Sequence, residues 1–141
     1  MVDVVDKKTR SRMMSGIRGR DTTPERSVRK AMSAAGFRYR LHVGSLPGRP
    51  DIVLSRLKTV IQIHGCFWHQ HRNCRYAYVP KSRQHFWIPK LRSNVLRDEQ
   101  NNVALRRLGW RVITVWECAI SESRMAAVVK RLQTIDRASR L

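Results

Sequence analysis

Acidic residues are scarce in this chain of 141 residues, which has ten Asp and Glu against 29 Lys and Arg. The formal charge of +19 opposes compaction unless a polyanion relieves the repulsion, and nucleic acid is the usual one. Long apolar runs are also missing, because no stretch of about 18 apolar residues is present to span a bilayer. The N-terminal segment MVDVVDKKTR lacks the apolar core of a signal peptide. We therefore expect a cytoplasmic, nucleic-acid-binding protein without a membrane partner.

Cysteine is rare, with three residues in the chain. An odd number without an export signal argues against a disulfide framework and favours thiolates used as metal ligands. Three thiolates and one imidazole, the ligand set of a closed structural zinc site, are available from Cys66, His71, Cys74 and Cys118. The spacing is irregular, so inert buried cysteines are the competing interpretation, and His69 could replace His71 as a ligand.

The first 20 residues are rich in Lys and Arg, with Met13, Met14 and Ile17 at helical spacing. This pattern predicts a basic helical arm that binds DNA, with a solvated surface helix as the alternative of equal weight. The length of the rest fits one domain over residues 21–141. A hydrophobic fraction of 42% is enough for that domain to bury a core.

Local signals divide the domain into alternating helices and strands. Thr22 followed by Glu25 predicts a capped helix start, and Gly36 predicts its end. The alternation over residues 37–42 then predicts a strand with Phe37, Tyr39 and Leu41 on its buried face. Two short apolar runs, residues 51–54 and 60–63, predict a hairpin across the basic turn between them.

The C-terminal third predicts a helix, a strand and a second helix. The first helix ends at Gly109, and the apolar run from Trp110 to Trp116 predicts a central strand buried on both faces. A closing helix is expected over Ser123 to Leu132. The fold class is therefore α/β, with a mixed β-sheet flanked by helices.

Residues suited to phosphodiester chemistry cluster around the predicted hairpin. A carboxylate and a backbone carbonyl are typical ligands of Mg²⁺, and the hairpin places Asp51 at the same sheet edge as residues 62–64. An Asp that merely closes a turn is the alternative for Asp51 alone. An imidazole not used by zinc, from His64, His69 or His71, could activate water if a carboxylate orients it. The candidates for that carboxylate are Asp98, Glu99 and Glu25.

These residues resemble a known family. Pro-Asp at residues 50–51 and Gln-Ile-His at 62–64 look like a variant of the PD-(D/E)xK restriction-endonuclease-like core, with Gln62 and His64 replacing the usual acid and Lys. More specifically, the chain resembles the very-short-patch repair (Vsr) DNA mismatch endonucleases over residues 3–120. The segments that carry this likeness are Asp21-Thr22, Ser45 to Asp51, His64 to His69, Asn94-Val95, Arg97-Asp98, Leu108 to Val112 and Val115 to Cys118.

The resemblance implies a strand-specific nickase that cuts 5′ of the T in a T:G mismatch. It implies that Asp51 and the backbone carbonyl of Ile63 bind Mg²⁺, of which we expect two ions. It also implies that His69 is the general base paired with Asp98. His64 and Glu25 would complete the catalytic site.

The same resemblance implies structural zinc on Cys66, His71, Cys74 and Cys118. It implies that three aromatic side chains, Phe67, Trp68 and Trp87, wedge between base pairs. Met14 of the N-terminal arm would enter from the opposite groove. The chain departs from the family pattern by a one-residue shift at Arg72-Asn73, which affects the zinc loop. We expect a monomer associated with the bacterial nucleoid and functionally linked to a cytosine-5 DNA methyltransferase and mismatch-repair proteins.

Two other functions are compatible with the residues alone. One is a restriction or homing nuclease that uses the same core on matched duplex DNA. The other is a non-catalytic nucleic-acid-binding protein held together by zinc, for which Asp51, His69 and Asp98 would be dispensable. A nicking assay that compares T:G with T:A duplexes, with and without Mg²⁺, would separate these three functions.

Overall fold

The computed structural model describes residues 22–140, so the predicted basic arm over residues 1–20 and Met14 lie outside the described part. The helices are α1 (Thr23–Ala34), α2 (Gln84–Arg107) and α3 (Glu122–Ser139). The strands are β1 (Arg40–Leu41), β2 (Ile52–Leu54), β3 (Thr59–His64) and β4 (Arg111–Trp116), with short 3₁₀ turns at Ser55–Leu57 and Glu117–Ala119. Over residues 22–140, no helix combines the length and apolar character that crossing a membrane requires.

Helix α1 begins and ends where the sequence predicts. The backbone N–H of Glu25 donates to Oγ1 of Thr22 at 3.3 Å, and Pro24 occupies the first turn, where its missing N–H costs nothing. Gly36 follows the helix with a φ of 81°, a conformation that glycine adopts without strain. The Glu25 side chain is only 3% exposed, so the capping residue also carries a carboxylate into the interior.

The four strands form one mixed sheet in the order β1-β2-β3-β4. β1–β2 and β2–β3 are antiparallel, which confirms the predicted hairpin, and β3–β4 is parallel. The prediction that Trp110 to Trp116 forms a central strand was wrong, because within the described residues β4 pairs only with β3 and lies at the sheet edge. Helices cover both faces of β4, so its side chains Val112, Ile113 and Val115 are apolar although the strand lies at the edge. The apolar pattern alone therefore does not distinguish this edge strand from a central one.

The strand predicted over residues 37–42 is shorter than expected. Only Arg40–Leu41 pairs with β2, and Leu41 is 39% exposed rather than buried. His42 has a φ of 48°, which turns the chain out of the extended conformation directly after Leu41. Phe37 and Tyr39 do pack against the hydrophobic core, as the alternation predicts.

Helices cover both faces of the sheet, which confirms the α/β class. On one face, α1 and α3 pack against the sheet in a cluster that includes Val28, Met32, Ile61, Met125 and Leu132. On the other face, Leu105 of α2 packs with Val53 and Val60. Side chains therefore alternate between two cores along β3, which is buried over nearly its whole length.

Helix α2 contains a proline. It starts before Trp87 and continues through Pro89. Pro89 lies near the N-terminus of the helix, so it interrupts the hydrogen-bond pattern only in the first turns. Gly109, with a φ of 90°, follows its C-terminus as predicted.

The turn before β2 packs tightly against α2. Gly48 has a φ of 73°, and a Cβ atom there would come within 2.8 Å of Nδ2 of Asn101. Only glycine satisfies both the backbone conformation and this close approach. The turn that leads into Asp51 is thereby held against the helix that carries Asp98.

Helix α3 extends to Ser139, seven residues beyond the predicted end at Leu132. Met125 and Leu132 on its inward face are buried, and Val128 and Val129 are partly buried. Near its end, Asp136 accepts a hydrogen bond from Arg56 at 2.5 Å and pairs with Arg140. The C-terminal helix is therefore an integral part of the core.

Leu132→Ala should lower the free energy of unfolding by about 2–5 kcal/mol, because it opens a cavity at a fully buried position. Denaturant unfolding measures this change. Leu108→Ala is the matched control, since Leu108 is 57% exposed and its removal should change stability by about 0.5 kcal/mol or less. Equal effects of the two substitutions would contradict the packing of α3.

Candidate active site

Asp51 lies immediately before β2 and beside the end of β3. Its Oδ2 atom accepts a hydrogen bond from the backbone N–H of Ile63 at 2.8 Å, so the antiparallel hairpin brings these two residues together as predicted. Burial raises the pKa of Asp51, and the hydrogen bond from Ile63 only partly offsets this. A carboxylate in such a place is one whose charge a bound cation would stabilise.

Two further side chains join Asp51. The imidazole of His42 places Nε2 3.0 Å from Oε1 of Glu25 and Nδ1 4.0 Å from Oδ1 of Asp51. Oε2 of Glu25 accepts from Arg29 at 3.2 Å. One donor atom from each of Glu25, His42 and Asp51 lies within 4.8 Å of the other two, so this group could hold a metal ion. Sequence reasoning found Glu25 and Asp51 but left His42 on the basic face of a strand.

A second group contains His64, His69 and Asp98. Nδ1 of His69 is 2.6 Å from Oδ2 of Asp98, so Asp98 is the candidate carboxylate that contacts His69, while Glu99 is exposed. The rings of His64 and His69 stack with centroids 3.8 Å apart. Burial, with the neighbouring His69, lowers the pKa of His64 to about 4, although Asp98 opposes the shift. His64 is therefore neutral near pH 7.

Nδ1 of His64 is buried and has no hydrogen-bond partner within residues 22–140. A buried polar atom without a partner is costly in a folded protein and marks a position where a ligand or water can be accommodated. The end of β3 brings the His69 group close to the Asp51 group, because Asp51 accepts from the N–H of Ile63 at 2.8 Å and the next residue, His64, stacks on His69.

A tight turn after β3 directs His69 and His71 to different places. The N–H of His69 donates to the carbonyl of Gly65 at 3.1 Å, and the N–H of His71 donates to that of Cys66 at 3.0 Å. Asn94 of α2 donates to the carbonyl of Trp68 at 3.1 Å and holds the turn against the helix. His69 reaches Asp98, whereas His71 reaches the cysteines.

The predicted Cys/His group is assembled in the structure. Nδ1 of His71 lies 3.3 Å from Sγ of Cys118 and 3.7 Å from Sγ of Cys66, and the Sγ atoms of Cys74 and Cys118 are 3.9 Å apart. Metal–sulfur bonds of about 2.3 Å and metal–nitrogen bonds of about 2.1 Å give tetrahedral edges of roughly 3.5–3.8 Å. The four side chains therefore have the spacing of a tetrahedral metal site, with His71 rather than His69 among the thiols.

The thiols of this group differ in their surroundings. Burial raises the pKa of Cys66 to about 12. Burial acts in the same direction on Cys74, but hydrogen bonds from the backbone N–H of Tyr76 and from the other thiols bring its pKa below the ordinary value. The departure at Arg72-Asn73 is accommodated by a φ of 56° at Asn73, a residue type that tolerates this conformation.

Trp116 connects the Cys/His group with the His64 group. Its ring stacks on His71 at 4.1 Å between centroids and meets His64 edge-on at 5.2 Å. The sequence predicted a core role for Trp116, and the structure places it half-buried between the two histidines. The side chain therefore fixes both imidazoles from one strand end.

The aromatic side chains predicted to contact DNA form one cluster. Phe67 and Trp68 are half-buried and contact each other at 5.1 Å between ring centroids. Trp87 lies 5.5 Å from Phe67 and 5.9 Å from Trp68, and it is only 7% exposed. Phe86 and Tyr78 form the exposed margin of the cluster. Trp87 is thus the buried member of the cluster and packs against both Phe67 and Trp68.

Comparison with known proteins identifies the family of this chain. The family described as DNA mismatch endonuclease Vsr matches residues 2–75. The DNA mismatch endonuclease Vsr of Escherichia coli (strain K12) is 46% identical over 120 residues, which cover 85% of this chain and 76% of that protein.

Two relatives match over nearly their whole length. The type II nicking enzyme V.XorIIP of Xanthomonas oryzae pv. oryzae is 42% identical over 96% of this chain and 97% of its own. The type II nicking enzyme V.NmeAIP of Neisseria meningitidis serogroup A is 41% identical over 94% and 98%. The chain belongs to the Vsr family of DNA mismatch endonucleases.

Proposed function

We propose that this endonuclease nicks one strand of double-stranded DNA on the 5′ side of the T in a T:G mismatch. The reaction is Mg²⁺-dependent phosphodiester hydrolysis that leaves a 5′-phosphate and a 3′-hydroxyl. The observation that carries this proposal is the His69–Asp98 pair, 2.6 Å between Nδ1 and Oδ2, which His64 joins to the end of β3 where Asp51 is bound. An oriented base beside a metal-binding carboxylate is the minimum that such a hydrolysis requires.

Asp51 and the backbone carbonyl of Ile63 would hold the catalytic Mg²⁺, of which we propose two ions. Both are oxygen donors, which Mg²⁺ prefers, and Asp51 is already fixed through Oδ2 to the N–H of Ile63. A bound Mg²⁺ supplies charge stabilisation at the scissile phosphate. Asp51 would hold Mg²⁺ at the scissile phosphate, while the many Lys and Arg side chains attract the other phosphates of the DNA backbone.

His69 acts as the general base. Because Nδ1–H of His69 donates a hydrogen bond to Asp98, the other ring nitrogen, Nε2, is the atom that takes a proton from the attacking water. Asp98 then stabilises the imidazolium that forms. His64 stays neutral through burial and supports the His69 ring by stacking, while Glu25 completes the acidic side of the site.

Selectivity for a mismatch is assigned to the aromatic cluster. Phe67 and Trp68 insert between base pairs, with Trp87 packed against both, and Met14 of the N-terminal arm enters from the opposite groove. Opening a base step costs a few kcal/mol and costs least at a mismatch, so a wedge favours wobble pairs over Watson–Crick pairs. The half-exposed rings of Phe67 and Trp68 support this assignment.

The Cys/His group holds one structural zinc ion. Its three thiolates and one imidazole favour zinc over harder cations, and the spacing of the donor atoms fits a tetrahedral site. In the cell, we propose a monomer in the bacterial cytoplasm, associated with the nucleoid. A functional link to a cytosine-5 DNA methyltransferase and to mismatch-repair proteins completes the proposal.

A second candidate is nicking of a specific matched sequence, which the names of the type II nicking enzymes among the relatives favour. Duplexes that differ only by T:G or T:A at one position decide between the two. We expect Mg²⁺-dependent cleavage of the T-containing strand in the T:G duplex alone. Equal cleavage of the T:A duplex would favour the second candidate, and cleavage unaffected by a chelator would remove the metal requirement.

Asp51→Asn should lower the nicking rate by at least about 10³-fold, because it removes the only side-chain oxygen proposed to bind Mg²⁺ with Ile63. Binding of T:G DNA should persist, since Lys and Arg side chains contribute most of the affinity for phosphates. Single-turnover nicking and gel-shift titration measure the two properties. Near-normal cleavage would exclude Asp51 from the metal site.

His69→Ala and His71→Ala should separate catalysis from zinc binding. His69→Ala should retain about one zinc per chain and lose roughly 10²–10⁴-fold in nicking rate, the usual contribution of a general base. His71→Ala should lose zinc and thermal stability, because a coordinating imidazole is removed. Elemental analysis and thermal unfolding measure these outcomes, and the reverse pattern would exchange the two roles.

A further inference from the structure

His42 presents one ring nitrogen to each of two carboxylates. Nε2 is 3.0 Å from Oε1 of Glu25, a hydrogen-bond distance, whereas Nδ1 is 4.0 Å from Oδ1 of Asp51, which is longer than a hydrogen bond. Glu25 is 3% exposed, and its carboxylate also accepts a hydrogen bond from Arg29. Because a carboxylate oxygen only accepts, the proton of a neutral His42 ring lies on Nε2. The lone pair of Nδ1 then faces Asp51.

Asp51 offers one oxygen in return. Its Oδ2 atom accepts from the N–H of Ile63 at 2.8 Å, which leaves Oδ1 directed towards His42. The backbone joins the two residues as well, since the N–H of His42 donates to the carbonyl of Asp51 at 3.1 Å. Nitrogen and oxygen donors bind divalent cations at roughly 2.0–2.2 Å, so one ion can contact two donor atoms that are 4.0 Å apart.

We propose that Nδ1 of His42 is a ligand of the divalent cation held by Asp51, and that Glu25 is the positioning residue that orients the imidazole for it. A histidine that binds a metal commonly donates its other N–H to a carboxylate, which is the relation of His42 to Glu25. This inference rests on the proposed metal dependence of the site. It assigns Glu25 to the orientation of a ligand rather than to contact with substrate.

A nitrogen ligand has a consequence for metal choice. Mg²⁺ prefers an all-oxygen environment, whereas later divalent ions of the first transition row accept imidazole readily. The site should therefore bind Mn²⁺ or Co²⁺ more tightly than Mg²⁺. Removal of the imidazole should lower Mn²⁺ affinity much more than Mg²⁺ affinity.

The test is Mn²⁺ binding to the full-length, zinc-loaded protein, followed by electron paramagnetic resonance. His42→Asn should weaken Mn²⁺ binding by at least about tenfold and should reduce the ¹⁴N modulation in electron spin echo spectra. Asn is chosen because His42 has a φ of 48°, which Asn tolerates. Glu25→Gln should weaken binding less, while the modulation persists. His85→Asn, at an exposed position on α2, is the matched control and should behave as wild type.

The outcomes distinguish this inference from the proposed function. Unchanged Mn²⁺ affinity and ¹⁴N modulation in His42→Asn, with Mn²⁺ binding lost in Asp51→Asn, would overturn the role of His42 and leave the metal site of Asp51 intact. Normal Mn²⁺ binding by Asp51→Asn would instead contradict the proposed metal site. If circular dichroism shows that His42→Asn is misfolded, His42→Gln replaces it. Wild-type protein that binds no Mn²⁺, or binds it without ¹⁴N modulation, would also overturn the inference.

Discussion

The parallel pairing of β3 with β4 is the constraint on which the site depends. Its register runs from Thr59 opposite Arg111 to His64 opposite Trp116, so both strands end at the same level. Cys118 therefore lies beside Cys66, whose N–H donates to Oε1 of Glu117 at 3.1 Å. On the other side of β3, the antiparallel hairpin brings Asp51 to the same edge. One central strand end thus aligns the Cys/His group, the imidazoles and the Asp51 carboxylate.

Local signals in the sequence were sufficient for both ends of α1, the end of α2 and the hairpin, because a cap at Thr22 or a glycine at residue 109 acts within a few residues. The end of α3 was missed, since the helix continues to Ser139. The position of β4 could not be predicted, since an edge strand covered by helices is as apolar as a central one. His42 escaped for a different reason. Its contacts with Glu25 and Asp51 depend on a left-handed backbone turn that ends β1, and the sequence alone gave it only a place in an alternating basic strand.

Several of the few acidic residues lie in the candidate site, beside its histidines. The chain has ten Asp and Glu, and three of them, Glu25, Asp51 and Asp98, contact the histidines of the candidate site. A net charge of +19 attracts a polyanion but would repel a divalent cation. Carboxylates in the site can offset this repulsion. A partly buried carboxylate attracts a nearby cation strongly, whereas salt screens the repulsion from distant Lys and Arg.

The turn after β3 also explains how two histidines of one short segment reach different groups of side chains. His69 and His71 are two residues apart, yet backbone hydrogen bonds to Gly65 and Cys66 send one ring to Asp98 and the other to the thiols. Trp116 contacts His71 and His64, and His64 stacks on His69, so the rings form a continuous series from the Cys/His group to His69. The Cys/His group therefore helps to hold the turn that carries His69, and the departure at Arg72-Asn73 lies beyond His71.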